Sequence, residues 1–210
     1  MKPEEMSCID CTVKNCDKGD KTYPAFCLTT HMDQEILQDA LACYAEEENH
    51  AVMVAAAEVE YEHYCKYTRV EEIMAFAKKI GAKKIGIATC VGLLKESRTL
   101  AAILRKHGFE VYGAACKVGA VPKTEVGIPE ECCQIGNHMC NPILQAKLLN
   151  AAKTDLNVVM GLCVGHDSLF YKYSEALTTT GVTKDRVLGH NPAAALYMAD
   201  GYYKKLMEEE

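Results

Sequence analysis

The sequence predicts an α/β fold, a small doubly wound and mainly parallel sheet of about four strands, preceded by a cysteine-rich loop and a helical segment. Three observations predict it. Short apolar runs alternate with amphipathic stretches from Lys84 onward, helical periodicity fills much of the stretch from Asp33 to Ile80, and four cysteines stand among polar residues ahead of both. The chain therefore reads in three parts: a cysteine-rich metal-binding segment 1–30, a helical segment 31–82 packed on the core, and an α/β domain 83–210.

Residues 1–30 carry Cys8, Cys11, Cys16 and Cys27 among Lys, Asp, Thr, Gly and Pro, a loop that needs something to fold around. In 31–82, Ile36, Leu37, Ala40, Leu41 and Tyr44 recur at helical spacing, and Ala51 to Tyr64 continues as an alanine-rich helix. Thr68-Arg69-Val70-Glu71 has the spacing of a capping box. The helix it starts would bury Ile73, Phe76, Ala77 and Ile80 before Gly81 ends it.

Beyond Lys84 the pattern changes. Ile85 to Cys90 is a short apolar strand, Leu93 to His107 an amphipathic helix closed by Gly108, and Phe109 to Cys116 a second strand. A loop rich in Gly, Pro and Cys runs to Met139, longer than usual connections and placed to act as a lid. Cys140-Asn141-Pro142 opens a helix with Pro142 in its first turn. Leu156 to Cys163 reads as a third strand, His166 to Ala176 as a helix and Arg186-Val187-Leu188 as a fourth strand, with Asn191-Pro192 capping a last helix from Ala193 to Met207.

Composition excludes several classes. A chain of 210 residues buries roughly 70% of the surface its unfolded form exposes, enough for a core without disulfide staples. With 49% hydrophobic and 25% charged residues it is neither disordered nor fibrous. The net charge of -6, with no run of like charge beyond Glu208-Glu209-Glu210, leaves no basic footprint for nucleic acid. An acidic start without an apolar stretch does not read as a signal peptide, and no run of eighteen apolar residues suggests a membrane span. A reducing cytoplasm is expected, where twelve cysteines are better read as metal ligands or redox centres than as disulfides.

The cysteines fall into two sets. Cys8, Cys11, Cys16 and Cys27 form C-x2-C-x4-C-x10-C on flexible backbone with Gly19 and Pro24, which lets several sulfurs turn inward. The spacing matches neither the bacterial ferredoxin run nor paired zinc knuckles, so iron–sulfur, of four-iron type, and zinc both stay open. In the second set, Cys90, Cys116 and Cys163 each end a strand and are each followed within three residues by glycine: Gly92, Gly119 and Gly165. Ligands bind beyond the carboxyl ends of parallel strands, so these thiols would converge there, with the glycines allowing backbone close to a cofactor. Cys140 could join them, since a helix amino end stabilises thiolate. Against this stands the ordinary role of cysteine as a small buried hydrophobe.

Around that crevice lie His166 and His190, able to ligate metal or move protons, with helix capping by Asp167, Ser168 and Asn191 as the plainer alternative. Lys117 and Lys123 could hold an anionic ligand or be solvated loop lysines. Cys132-Cys133 in the lid, Cys43 and Cys65 keep open roles. Glu47-x-x-His50 and Glu60-x-x-His63 repeat the step used by di-iron bundles, but solvent-facing side chains explain them more simply. No dinucleotide fingerprint, phosphate loop or nucleophile elbow follows a strand; the first turn reads Cys90-Val91-Gly92-Leu93-Leu94.

The segments Thr68 to Ile73, Gly86-Ile87-Ala88-Thr89-Cys90, Cys116-Lys117-Val118-Gly119, Met139-Cys140-Asn141-Pro142, Gly161 to Asp167 and Lys184 to Pro192 resemble a domain-of-unknown-function family of small cysteine-rich proteins labelled predicted metal-binding. The likeness spans nearly the whole chain and implies metal binding in an anaerobic setting, with no reaction or substrate. The expectation is thus an iron–sulfur protein with an N-terminal cluster and a second metal or redox site at the strand ends. It would have an electron-transfer partner and a small molecule in the crevice. The alternative is a non-catalytic zinc or metal module acting as sensor, store or delivery site, and a third reading is a thiol enzyme using Cys140.

Overall fold

The computed structural model describes residues 2, 5–20 and 22–208. They form two compact units, Met1–Ala57 and Glu58–Glu210. The acidic run read at Glu208 to Glu210 lies mostly outside the described residues.

In the first unit the cysteine-rich stretch is a chain of short turns. Ser7 caps a 3-10 turn, Cys8–Asp10, through a reciprocal capping box with Asp10. Helix α1 (Asn15–Lys18) ends at Gly19 in the left-handed conformation, and the buried Asn15 amide donates to the Thr22 carbonyl and hydroxyl. Cys27 precedes α2 (Leu28–His31). Asp33 then caps α3 (Gln34–Ala45) by accepting from the Glu35 amide at 2.9 Å. The division between the units falls inside α4 (Glu47–His63).

In the second unit the capping box forms at Thr68, opening α5 (Arg69–Lys79). Strands β1 (Lys84–Thr89), β2 (Glu110–Ala115), β3 (Leu156–Met160) and β4 (Leu177–Val182) form one all-parallel sheet in the order β2-β1-β3-β4. Helices α6 (Leu94–Lys106), α7 (Pro142–Ala151), α8 (His166–Tyr173) and α9 (Ala193–Tyr197) complete it. Alternate residues of the central strands feed two cores. Ile85 and Ile87 of β1 with Leu156, Val158 and Met160 of β3 pack against α5 and α6, while Ala88 and Val159 pack against Ala146, Leu149 and Phe170 of α7 and α8. Helices on both faces make the sheet doubly wound, as the periodicity predicts.

The fourth strand is a correction. Arg186-Val187-Leu188 is a turn, because the Asp185 carboxylate accepts from the Val187 and Leu188 amides at 2.9 and 2.8 Å and Gly189 and His190 take positive φ. The strand is instead Leu177-Thr178-Thr179-Thr180-Gly181-Val182, whose β-branched threonines suit a half-exposed edge. The last helix is also shorter than expected. After Tyr197 the chain turns through Asp200-Gly201, and Leu196, Tyr197, Met198 and Tyr202 are exposed, so no packing extends the helix to Met207.

One glycine in β1 is sterically required. A Cβ at Gly86 would overlap Asn157 Oδ1 and come 2.9 Å from Leu149 Cδ1. Asn157 cannot yield, being fully buried and held by the Thr154 and Ser174 hydroxyls, both at 2.8 Å. Gly86→Ala is expected to lower unfolding free energy by about 2 kcal/mol, read as an earlier urea midpoint. An unchanged midpoint would mean that the Asn157 network adjusts freely.

Candidate metal centre

Strand order reverses direction between β1 and β3, and the chain leaving every strand at that end carries a functional side chain. Cys90 follows β1, Cys116 follows β2, Cys163 lies three residues after β3, and Lys184 and Arg186 follow β4. Cys140 enters from the segment before α7, whose cap Asn141 accepts from the Leu144 amide at 3.0 Å. Backbone bonds fix the set: Cys90 N–H donates to the Met160 carbonyl at 3.1 Å, Cys116 N–H to Thr89 at 2.8 Å and Asn141 N–H to Cys116 at 2.7 Å.

Beneath this edge lies Gln145 of α7, fully buried. Its Nε2 donates to the Thr89 carbonyl at 3.1 Å and the Ala114 carbonyl at 2.7 Å, tying the ends of β1 and β2 just before their cysteines. Its Oε1 is buried with no hydrogen-bond partner.

Three sulfurs make a chain. Cys116 hydrogen-bonds with both Cys90 and Cys140 through their side chains, and Val91 N–H donates to Cys116 Sγ at 3.4 Å. Cys90 and Cys116 are buried, Cys140 half-buried. The outer two thiols each have a cation: Lys184 Nζ lies 3.4 Å from Cys90 Sγ, and His166 hydrogen-bonds Cys140 with Lys117 beside it. Cys163, half-buried, takes a 2.9 Å bond from Arg186 Nη2.

These contacts set the protonation pattern. The Cys116 thiol holds Cys140 far below the usual thiol range, to about 3, helped by His166 and Lys117. Cys116 likewise brings Cys90 down to about 5, helped by the Gly92 amide and Lys184 against the opposing effect of burial. Cys116 itself moves upward, because its proton is shared toward Cys140 and Cys90 in a partly desolvated place. His166 moves upward through its bond to Cys140. The hydrogen bonds and cations at this edge thus favour the anionic form at Cys90 and Cys140 and the protonated form at Cys116.

The remaining expected residues have the following surroundings. Gly92 sits among the thiols through its amide, whereas Gly119 (φ +87°) serves a turn against Leu144, and Gly165 (φ +82°) precedes α8 in open space. His190 is taken up by its own turn, where Nδ1 accepts from the Asp185 amide at 3.2 Å. Lys123 donates to the Cys132 carbonyl at 2.5 Å. The long loop is tied at its neck: Met139 N–H donates to Val121, Lys123 N–H to Asn137, and Lys117 Nζ to the His138 carbonyl at 2.6 Å. Cys132 and Cys133 occupy a 3-10 turn within it. Cys43 and Cys65 are exposed, and His63 stacks on Tyr67 at 3.7 Å.

In the first unit Cys11 donates to the Val13 carbonyl at 3.0 Å, and hydrogen bonds from Thr29 and Thr30 lower the Cys27 thiol against desolvation, which raises it. Among the described residues no three His, Cys, Asp or Glu side chains are posed to close on one metal ion, at either cysteine set. The crevice chemistry nevertheless fits a thiolate-bound metal centre. It offers several sulfurs at one place, and backbone N–H groups directed at two of them. Their present pose is that of hydrogen-bonded thiols.

Sequence reasoning did not find Lys184, Arg186 or Gln145. The signal for the first two was available once a strand was placed at Leu177 to Val182, since both then occupy the same strand-end position as the cysteines.

No helix among the described residues is long and apolar enough to cross a membrane. The uncharacterized protein MJ0455 of Methanocaldococcus jannaschii is 44% identical over 203 residues, spanning 97% of this chain and 99% of its own. Among solved structures, the crystal structure of Dph2 from Pyrococcus horikoshii with 4Fe-4S cluster aligns at a TM-score of 0.35 and 21% identity, over 65% of this chain and 32% of that one, too low a likeness to support an argument. A family described as protein of unknown function, DUF1847, matches residues 27–180, which include Cys90, Cys116, Cys140, Cys163 and His166. With more than half of its length inside that match, the chain belongs to the DUF1847 family.

Proposed function

We propose that the protein is a metal-binding, iron–sulfur protein whose strand-end crevice is a redox centre for a small molecule. One observation carries the reading: Cys116 is in sulfur contact with both Cys90 and Cys140, the three coming from separate elements, and the set receives amide and cationic donors. Iron–sulfur clusters are held by thiolates, and hydrogen bonds to sulfur set their potential. Cys163 is the fourth candidate ligand at this edge. Loading requires these side chains to turn from bonding one another toward the metal, a change of rotamer.

Cys8, Cys11, Cys16 and Cys27 supply thiolates for a second cluster, which would exchange electrons with the crevice centre and with a partner protein in the cytoplasm. His166, hydrogen-bonded to Cys140, would donate to that sulfur or move a proton to the bound molecule.

The test is anaerobic purification followed by visible absorption, electron paramagnetic resonance and assay of iron, acid-labile sulfide and zinc. About eight irons and as many sulfides per chain are expected for two four-iron clusters. Substituting the N-terminal cysteines should leave about half of them. A colourless protein holding stoichiometric zinc would replace this reading with a zinc module.

A further inference from the structure

We infer that the crevice is also an oxyanion site, in which Lys117, Lys184 and Arg186 take a carboxylate or phosphate group of a small molecule beside the sulfurs. This rests on the reading of the thiols as a metal centre, beside which the bound molecule would sit.

Placement is the first argument. Lys117 follows β2 and Lys184 and Arg186 follow β4, and these strands are the opposite edges of the sheet. The three cations therefore reach the cysteine-lined strand ends from the two edge strands, Lys117 at Cys140, Lys184 at Cys90 and Arg186 at Cys163. Arg186 also senses the charges of Cys90 and Cys140. This end of a parallel sheet, at the reversal of strand order, is where α/β proteins take ligands.

Charge is the second. The chain has 29 acidic and 23 basic side chains, yet among the described residues none of these three cations pairs with a carboxylate. Lys79, by contrast, is held between Glu58 and Glu62 at 2.9 and 2.8 Å. The nearest acid along the chain, Asp185, has its carboxylate on the Val187 and Leu188 amides. That same turn fixes the backbone between Lys184 and Arg186, so both point inward without a carboxylate to neutralise them.

Donor capacity is the third. A lysine ammonium has three N–H groups and a guanidinium five in a planar fork suited to carboxylate or phosphate. Lys184 directs one bond to Cys90, Arg186 one to Cys163, and Lys117 bonds to His138 and Cys140, which leaves further N–H groups for oxygen acceptors.

The experiment is calorimetric titration of the anaerobic, iron-loaded full chain with inorganic phosphate in one arm and malonate in the other, with iron assayed on every sample. Saturable binding of at least one anion is expected, and the arm that binds identifies the group. The double variant Lys184→Gln/Arg186→Gln should bind at least about tenfold more weakly while keeping its iron. Lys147→Gln, an exposed lysine of α7, should bind as the parent does. An iron-loaded parent that binds neither anion, or a double variant that binds equally well, overturns the oxyanion site and leaves the metal reading intact. A crevice without iron overturns both, and the iron assay tells the two failures apart.

Discussion

Replacing Cys116 with alanine is expected to strip the crevice of its metal while leaving the fold in place. Cys116 is the only one of the crevice thiols shown in contact with two others, so its loss separates Cys90 from Cys140 and leaves no sulfur between them. The fold should tolerate the change. Removing one buried sulfur from a core of this size costs about 1 kcal/mol, and although the Val91 N–H loses its acceptor, the Cys116 N–H to Thr89 and Asn141 N–H to Cys116 backbone bonds remain. Iron should fall from about eight to about four per chain, with far-ultraviolet circular dichroism unchanged. Cys43→Ala, an exposed thiol outside the crevice, should change nothing. In metal-free protein the same substitution should make Cys90 and Cys140 less acidic, because each loses the thiol that stabilises its anion; thiolate ultraviolet absorbance against pH reads this directly. Iron content equal to the parent would show that the Cys116 sulfur is a packing atom.

Gln145→Leu should cost about 3 kcal/mol of unfolding free energy and part of the crevice iron as well. The amide is the donor to the Ala114 carbonyl and a second donor to the Thr89 carbonyl, and both lie in the interior where water cannot replace it. Leucine fills similar volume, so a cavity is not the cause. The unpartnered Oε1 works the other way, since its removal relieves a buried acceptor and makes the net loss smaller than two broken bonds suggest. A urea midpoint within error of the parent would show that the strand ends hold their spacing without this side chain.

The legible parts of the chain are those where one physical signal dominates. Strands β1 and β3 are buried on both faces, so they read as continuous apolar runs. The cysteines could be placed at one edge because a parallel sheet puts every strand end on the same side. Strand β4 escaped because an edge strand needs less apolarity, and its three threonines resemble a loop. Arg186 was hidden by the same error, since a residue placed inside a strand is not considered at its end. Gln145 gave no signal, because a glutamine on a helix is ordinary until burial shows that it bridges two strands. Cys8, Cys11, Cys16 and Cys27 are close in sequence, yet spacing alone does not say how short turns will orient their sulfurs.

The order of strands in the sheet bears on how the protein is made. Strand β1 sits between its successors β2 and β3, and Arg186 lies beyond β4, so the crevice is complete only after β4 and Arg186 have left the ribosome. A metal bound there would enter an already assembled pocket rather than nucleate the domain as it does in a zinc finger. The first four cysteines emerge within twenty residues of one another and long before β1, so the two centres would be filled at different moments of biogenesis.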